Sequence, residues 1–195
     1  MKNQRFLIAL LFITLTILLS ACGEKELEDP LEWEIDNISG VTQSGEDFSV
    51  DDMEGDVWLA NFIFTSCDTV CPPMTRNMSK LQDQLEEEGI EAEIVSFSVD
   101  PEVDTPEMLK EFASAQDADF SNWSFITGYS QEEIEEFAQE SFRTVAQKPE
   151  GAEQVSHGSS FFLVDQNNQV MKHYKGDTDV PYEDIIEDTE ILAEQ

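Results

Sequence analysis

The 195-residue chain carries 43 acidic against 10 basic residues, a formal net charge of −33, and 40% hydrophobic residues including 13 Phe and 3 Trp. That apolar share builds a real core and excludes disorder throughout, and the length suits one domain with accessories. Nucleic-acid binding by phosphate neutralisation is excluded at this charge; the acids are spread along the whole chain, which reads as a solvated surface more than as a cation site.

The chain opens on MKNQRFLIALLFITLTILLSAC, with Lys2 and Arg5, then an uncharged run from Phe6 to Ala21. A basic start, an apolar stretch and small residues at its exit make a signal-peptide pattern. The tail LSAC (Leu19 to Cys22) resembles the bacterial lipobox, whose cysteine takes a diacylglyceryl group and becomes the first residue after cleavage. An uncleaved membrane anchor is the alternative, but the run is short for a stable span. Either reading puts the rest of the chain on the outer face of the cytoplasmic membrane, where two acyl chains hold firmly. Residues 1–21 are expected as a lipoprotein signal peptide. Residues 22–34, lipidated at Cys22 and running through GEKELEDPLEWE, are expected as an acidic tether, and residues 35–195 as the domain.

Residues 35–56 hold short strand-like pieces broken by Gly40, Gly45 and Gly55, which predict an N-terminal β-hairpin. VWLANFIF (Val57 to Phe64) is the continuous apolar run of a strand buried on both faces. Pro72 and Pro73 fit only in or before a first helical turn. Met74, Met78, Leu81 and Leu85 then recur at helical spacing as far as a stop at Gly89. A second strand spans Ala92 to Val99, and Asp104 or Thr105 caps a helix that has Pro106 in its first turn. Trp123 to Thr127 is a third strand, and Ser130 to Phe142 a helix with Ile134, Phe137 and Ala138 turned inward. Ser160 to Gly176 reads as two strands around a turn at Gln166 to Gln169, and residues 181–193 as a closing helix. The order β-α-β-α-β-α-β-β-α demands parallel strands early and an antiparallel pair late. The expected class is α/β: a thioredoxin-like fold, a central mixed sheet flanked by helices, extended by the N-terminal hairpin. Sites in open α/β sheets lie outside the carboxyl ends of the parallel strands, and Cys67 and Asp100 both follow such an end.

The stretch FTSCDTVCPPMT carries Cys67 and Cys71; with Cys22 used by lipid, these are the remaining thiols. A bridge this short restrains the unfolded chain little, so structural stapling explains the pair poorly. Both cysteines precede a helix, where amide N–H groups and the macrodipole favour a thiolate. Redox or metal chemistry follows. Of the two histidines, His157 lies in a loop before the strand Phe161 to Val164. If that strand runs antiparallel to the early ones, His157 reaches the sheet edge that holds Cys67. Two thiolates and an imidazole suit copper, whereas structural zinc needs four protein ligands. Position alone leaves equally open that His157 merely caps its loop. His173, on the face of Met171 and Lys175, is assigned to surface packing, Met74 and Met78 to the core, and Asp100 before Pro101 to turn chemistry.

Taken together, FTSCDTVCPPMT, SFSVDPEVDTPEMLKEF, NWSFITGYS and SHGSSFFLVD, in that order, resemble the Sco/SenC family. Its members are membrane-tethered, thioredoxin-like proteins involved in copper delivery to cytochrome c oxidase. The resemblance covers about residues 35–195. It implies a site for copper, as Cu(II) or Cu(I), made by Cys67, Cys71 and His157, with a Cys67–Cys71 disulfide as its off state. The implied recipient is the dinuclear copper centre of cytochrome c oxidase subunit II, and the further expected partners are a thiol reductant protein and the membrane. A monomer is expected, and no nucleic acid. Many members carry Pro-Asp after the first cysteine where this chain has Asp68-Thr69, a departure that touches no ligand but bears on thiol acidity.

The leading reading is thus a metallochaperone and not a classical enzyme. The enzymatic alternative is a thiol–disulfide reductase that keeps the acceptor's cysteines reduced. Cys67 would attack and Cys71 resolve, with no need of His157. Peroxidase chemistry would require a sulfenate-forming cysteine in a peroxide pocket, which nothing in the sequence marks.

Overall fold

Strand β4 (Trp58–Ile63) is buried at every position, as its unbroken apolar run requires. It is the middle of an eight-stranded mixed sheet in a computed structural model that describes residues 25–67, 69–149, 151–152 and 154–195. In chain order the other members are β1 (Trp33–Glu34), β2 (Ser39–Thr42), β3 (Asp47–Ser49), β5 (Glu93–Ser98), β6 (Trp123–Thr127), β9 (Ser160–Val164) and β10 (Gln169–Lys175). Their spatial order is β1-β10-β9-β4-β5-β6-β2-β3. β4, β5 and β6 are parallel, because helices cross between them; β9 returns antiparallel to β4, and β10 to β9. The fold is thioredoxin-like, and the N-terminal hairpin β2–β3 extends the sheet by pairing β2 with β6.

Four helices are described: α1 (Cys71–Glu88), α2 (Pro106–Ser114), α3 (Gln131–Glu140) and α4 (Tyr182–Ala193). The stop after α1 is Gly89, at φ 73°, a left-handed geometry that suits glycine; Ile90 N–H then closes back on the Leu85 carbonyl. Thr105, not Asp104, caps α2, accepting a hydrogen bond from Met108 N–H. Ser130 and Glu133 form a reciprocal capping box on α3. Met74, Met78, Leu81 and Leu85 are buried on α1, as their spacing demanded. Between sheet and helices Phe62 packs against Phe97, Phe142 and Phe162 at centroid distances of 5.7, 5.2 and 6.1 Å.

Two expectations change. The segment read as a tether does not stand off the domain over residues 25–34: Leu27 is buried, Leu31 N–H donates to the Met171 carbonyl, and β1 pairs with β10. The cause is apolar contact within an acidic stretch, with Trp33 stacked on His173 at 6.1 Å and Arg143 over its ring. The second change is a separate two-stranded sheet, β7 (Ala146–Gln147) with β8 (Ser156–His157), where a loop was expected. The signal-peptide and Cys22 assignments lie outside the described residues. Among the described residues no helix is long and apolar enough to cross a membrane.

Candidate metal and redox site

Cys67 leaves the end of β4 and Cys71 begins α1. Pro72 and Pro73 carry no amide hydrogen, so the helix start has few N–H groups to satisfy. The N-cap residue Val70 makes no side-chain bond, and Cys71 N–H donates to Cys67 Sγ at 3.4 Å. A sulfur occupies the place that a serine or aspartate oxygen takes at other helix starts.

Burial opposes ionisation of Cys67, yet hydrogen bonds from the amide and thiol of Cys71 and the amides of Thr69 and Val70 outweigh it and hold this thiol below its ordinary value. Burial pushes the Cys71 thiol far up, with the neighbouring Cys67 and Asp104 adding to the shift. Cys67 is 4% exposed and Cys71 0%, so both are buried and the more acidic thiol belongs to the slightly less buried residue.

His157 stands on β8, outside the central sheet. Because β9 runs antiparallel to β4, the residues before β9 arrive at the edge where β4 ends. His157 Nε2 lies 3.2 Å from Cys71 Sγ, and its Nδ1 is 2.8 Å from the Gly158 carbonyl. The carbonyl can only accept, so Nδ1 carries the proton and Nε2 presents its lone pair to the sulfurs. Burial keeps the imidazole below its usual pKa and therefore neutral at pH 7, the ligand form. Phe64 stands edge-on to the ring at 5.5 Å and fixes its plane. A side chain at Gly158 would overlap the Thr144 hydroxyl, which would have to turn away to admit it. Both thiols are free, and the two sulfurs and the imidazole nitrogen lie within 4.8 Å of one another. Soft thiolates with an imidazole suit copper, and three protein ligands leave a position open for exchange.

Asp104, read from the sequence only as a possible helix cap, is a supporting residue. Its buried carboxylate takes hydrogen bonds from Thr65 N–H at 3.2 Å to each oxygen, from the Thr65 hydroxyl at 2.5 Å and from the Ser98 hydroxyl at 2.6 Å. Burial raises its pKa, and the Ser98 and Thr65 hydrogen bonds oppose that rise. It pins the turn that leads into Cys67. The signal for it was a carboxylate directly before a residue that caps equally well. The other assignments are placed apart from the site: His173 is exposed against Trp33, and Met74 and Met78 lie in the core. Asp100 makes the expected turn with Val103 and Asp104 amides on its carbonyl, but its carboxylate also holds Lys148 at 2.6 Å.

A family model described as SCO1/SenC matches residues 36–194. The chain belongs to the SCO1/SenC family. A SCO1 protein homolog of Bacillus subtilis (strain 168) is 50% identical over 172 residues, 88% of this chain and 89% of the relative. The crystal structure of a SCO1/SenC family lipoprotein from Bacillus anthracis superposes with a TM-score of 0.83 at 49% identity, covering 86% of this chain and 99% of that one. BsSco, described as a member of the Sco family of cytochrome c oxidase assembly proteins and as having a disulfide switch, gives 0.81 at 48% identity, covering 87% and 99%.

Proposed function

We propose that this chain is a membrane-anchored, extracytoplasmic copper chaperone for the dinuclear copper centre of cytochrome c oxidase subunit II. Cys67, Cys71 and His157 are its ligands, and Cys22 is its lipid attachment. The observation that carries the reading is the convergence of two sulfurs and a neutral imidazole nitrogen within 4.8 Å. The family's link to oxidase assembly supports the recipient, and the lipoprotein relative supports the anchor. The ScoI of Bradyrhizobium japonicum, which shares the fold at 22% identity, has copper bound.

Copper enters with the thiols reduced and displaces their protons. Burial makes Cys71 hold its proton strongly, so copper has to displace it on binding. Cys67, the less buried of the two cysteines, is the first to exchange with an acceptor ligand. Loss of two electrons and two protons from the pair to a thiol-oxidising partner would close the Cys67–Cys71 disulfide and abolish the site.

A second reading rests on the contrast between the two sulfurs. A more acidic Cys67 backed by a fully buried, weakly acidic Cys71 is also the arrangement of an attacking and a resolving thiol. The two are separated by adding Cu(II) anaerobically to the reduced full-length chain in detergent and to His157→Ala. The chaperone reading expects one equivalent held tightly, a thiolate-to-copper charge-transfer band, and at least about tenfold weaker binding in the variant. Rapid formation of the disulfide with no copper retained, identical in both proteins, would make the reductase reading the better one.

A further inference from the structure

The return of β9 brings His157 to the sheet edge where β4 ends, but the residue lies outside the central sheet. It stands on β8, whose strand partner is β7, with Ala146 opposite His157 and Gln147 opposite Ser156. So short a ladder contributes little alone. The hairpin's place over the thiols must therefore come from what holds β7 to the body of the domain.

Lys148, directly after β7, is held at both its backbone and its side chain. Its N–H donates to Glu135 Oε1 on α3 at 2.9 Å, and Gln131 Nε2 donates to that same oxygen at 3.0 Å and to the Val99 carbonyl at 3.1 Å. Its ammonium lies 2.6 Å from Asp100 Oδ1 and 3.6 Å from Glu102 Oε2. The Asp100 side chain is only 2% exposed. A carboxylate so far out of water needs a charged partner, and removing that partner is strongly unfavourable. Asp100 follows β5, so this ion pair ties the hairpin to the same sheet edge that presents Cys67. On the hairpin's other arm Gln154 Nε2 reaches the Ser66 carbonyl at 3.4 Å, a longer and exposed contact. Ala146 and Val155 add buried apolar surface but no direction.

We propose that Lys148 is a positioning residue for the third ligand: its ion pair with Asp100 holds the β7–β8 hairpin so that His157 Nε2 stays within reach of the two sulfurs. The inference rests on the three-ligand reading above. It also assigns Lys148 a selective effect. Cu(I) is satisfied by two thiolates, whereas Cu(II) draws on the imidazole. Loosening the hairpin should therefore weaken Cu(II) far more than Cu(I).

The test uses the reduced full-length chain in detergent, with Lys148→Met, Lys148→Arg, His157→Ala and the double variant Lys148→Met/His157→Ala. Cu(II) and Cu(I) affinities are measured by competition with chelators, together with the charge-transfer band. Lys148→Met should lose Cu(II) affinity by about 10–100-fold, the scale for residues that orient a ligand, with a shifted band and an unchanged Cu(I) affinity. Lys148→Arg, which can keep the ion pair, should restore most of the loss and gives a folded comparison if the methionine variant misfolds. In the His157→Ala background Lys148→Met should add nothing. Unchanged Cu(II) binding in Lys148→Met, equal losses for both oxidation states, or a further loss in the double variant would overturn the proposal. If His157→Ala weakens Cu(II) and Lys148→Met does not, only the positioning role falls. If neither variant changes Cu(II) binding, the three-ligand reading falls with it.

Discussion

Serine at position 71 should abolish tight copper binding, a larger loss than the roughly 10–100-fold that follows removal of an outer-shell partner. The sulfur of Cys71 lies 3.2 Å from His157 Nε2 and receives no solvent. A buried hydroxyl there is a hard, neutral donor that copper prefers far less than thiolate. The fold should persist, because serine fills nearly the same volume and the helix keeps Pro72 at its start. Chelator competition with the reduced variant checks the first statement, and thermal unfolding the second. Residual binding within a few-fold of wild type would remove Cys71 from the ligand set. The wild-type pH profile belongs to the same experiment. Burial makes the Cys71 thiol a poor acid, so copper has to expel its proton throughout the neutral range. Affinity should fall by about tenfold per pH unit for each proton released as the solution is acidified. His157, neutral at pH 7 and held below its ordinary pKa, should add its own proton release only at lower pH.

Alanine at Asp104 should cost about 3 kcal/mol of stability, since it strands the Thr65 amide and two hydroxyls in a buried pocket. It should also weaken copper binding, because the turn entering Cys67 loses its support. The pH dependence distinguishes the carboxylate from its shape. Asp104 has a folded pKa above its unfolded value, with burial as the leading cause. The folded state therefore binds that proton more tightly than the unfolded state. The resulting stabilisation is full below the ordinary carboxylate pKa and is lost as pH rises through the raised folded value. Against Asp104→Asn, wild type should gain relative stability as pH falls through that window. Denaturant melts of the two proteins at matched pH values read this difference directly, free of the large charge repulsion that both share. A difference that does not vary with pH would mean that Asp104 is not desolvated as described.

Much of the fold was legible because local signals agreed with each other. The apolar run in β4, the helical spacing of Met74, Met78, Leu81 and Leu85, and the cap of α2 each depend on neighbours in sequence. The same holds for the place of the cysteine pair between a buried strand and a proline-headed helix. The N-terminal arm was misread for a physical reason: Leu27, Leu31 and Trp33 are isolated apolar residues in an acidic stretch, and only the exposed edge of β10 gives them something to cover.

What the sequence determined by itself was the alternation of elements and the place of two thiols between a buried strand and a helix; it left His157 open between a ligand and a loop cap. What only the tertiary structure decided was their meeting. His157 lies 86 residues from Cys71 and reaches it because β9 returns antiparallel to β4. The unequal acidity of the two sulfurs, the role of Asp104 beneath them and the Lys148–Asp100 pair beside them were equally out of reach. Burial and ion pairing between distant segments exist only once the chain has closed, because both depend on which groups are removed from water together.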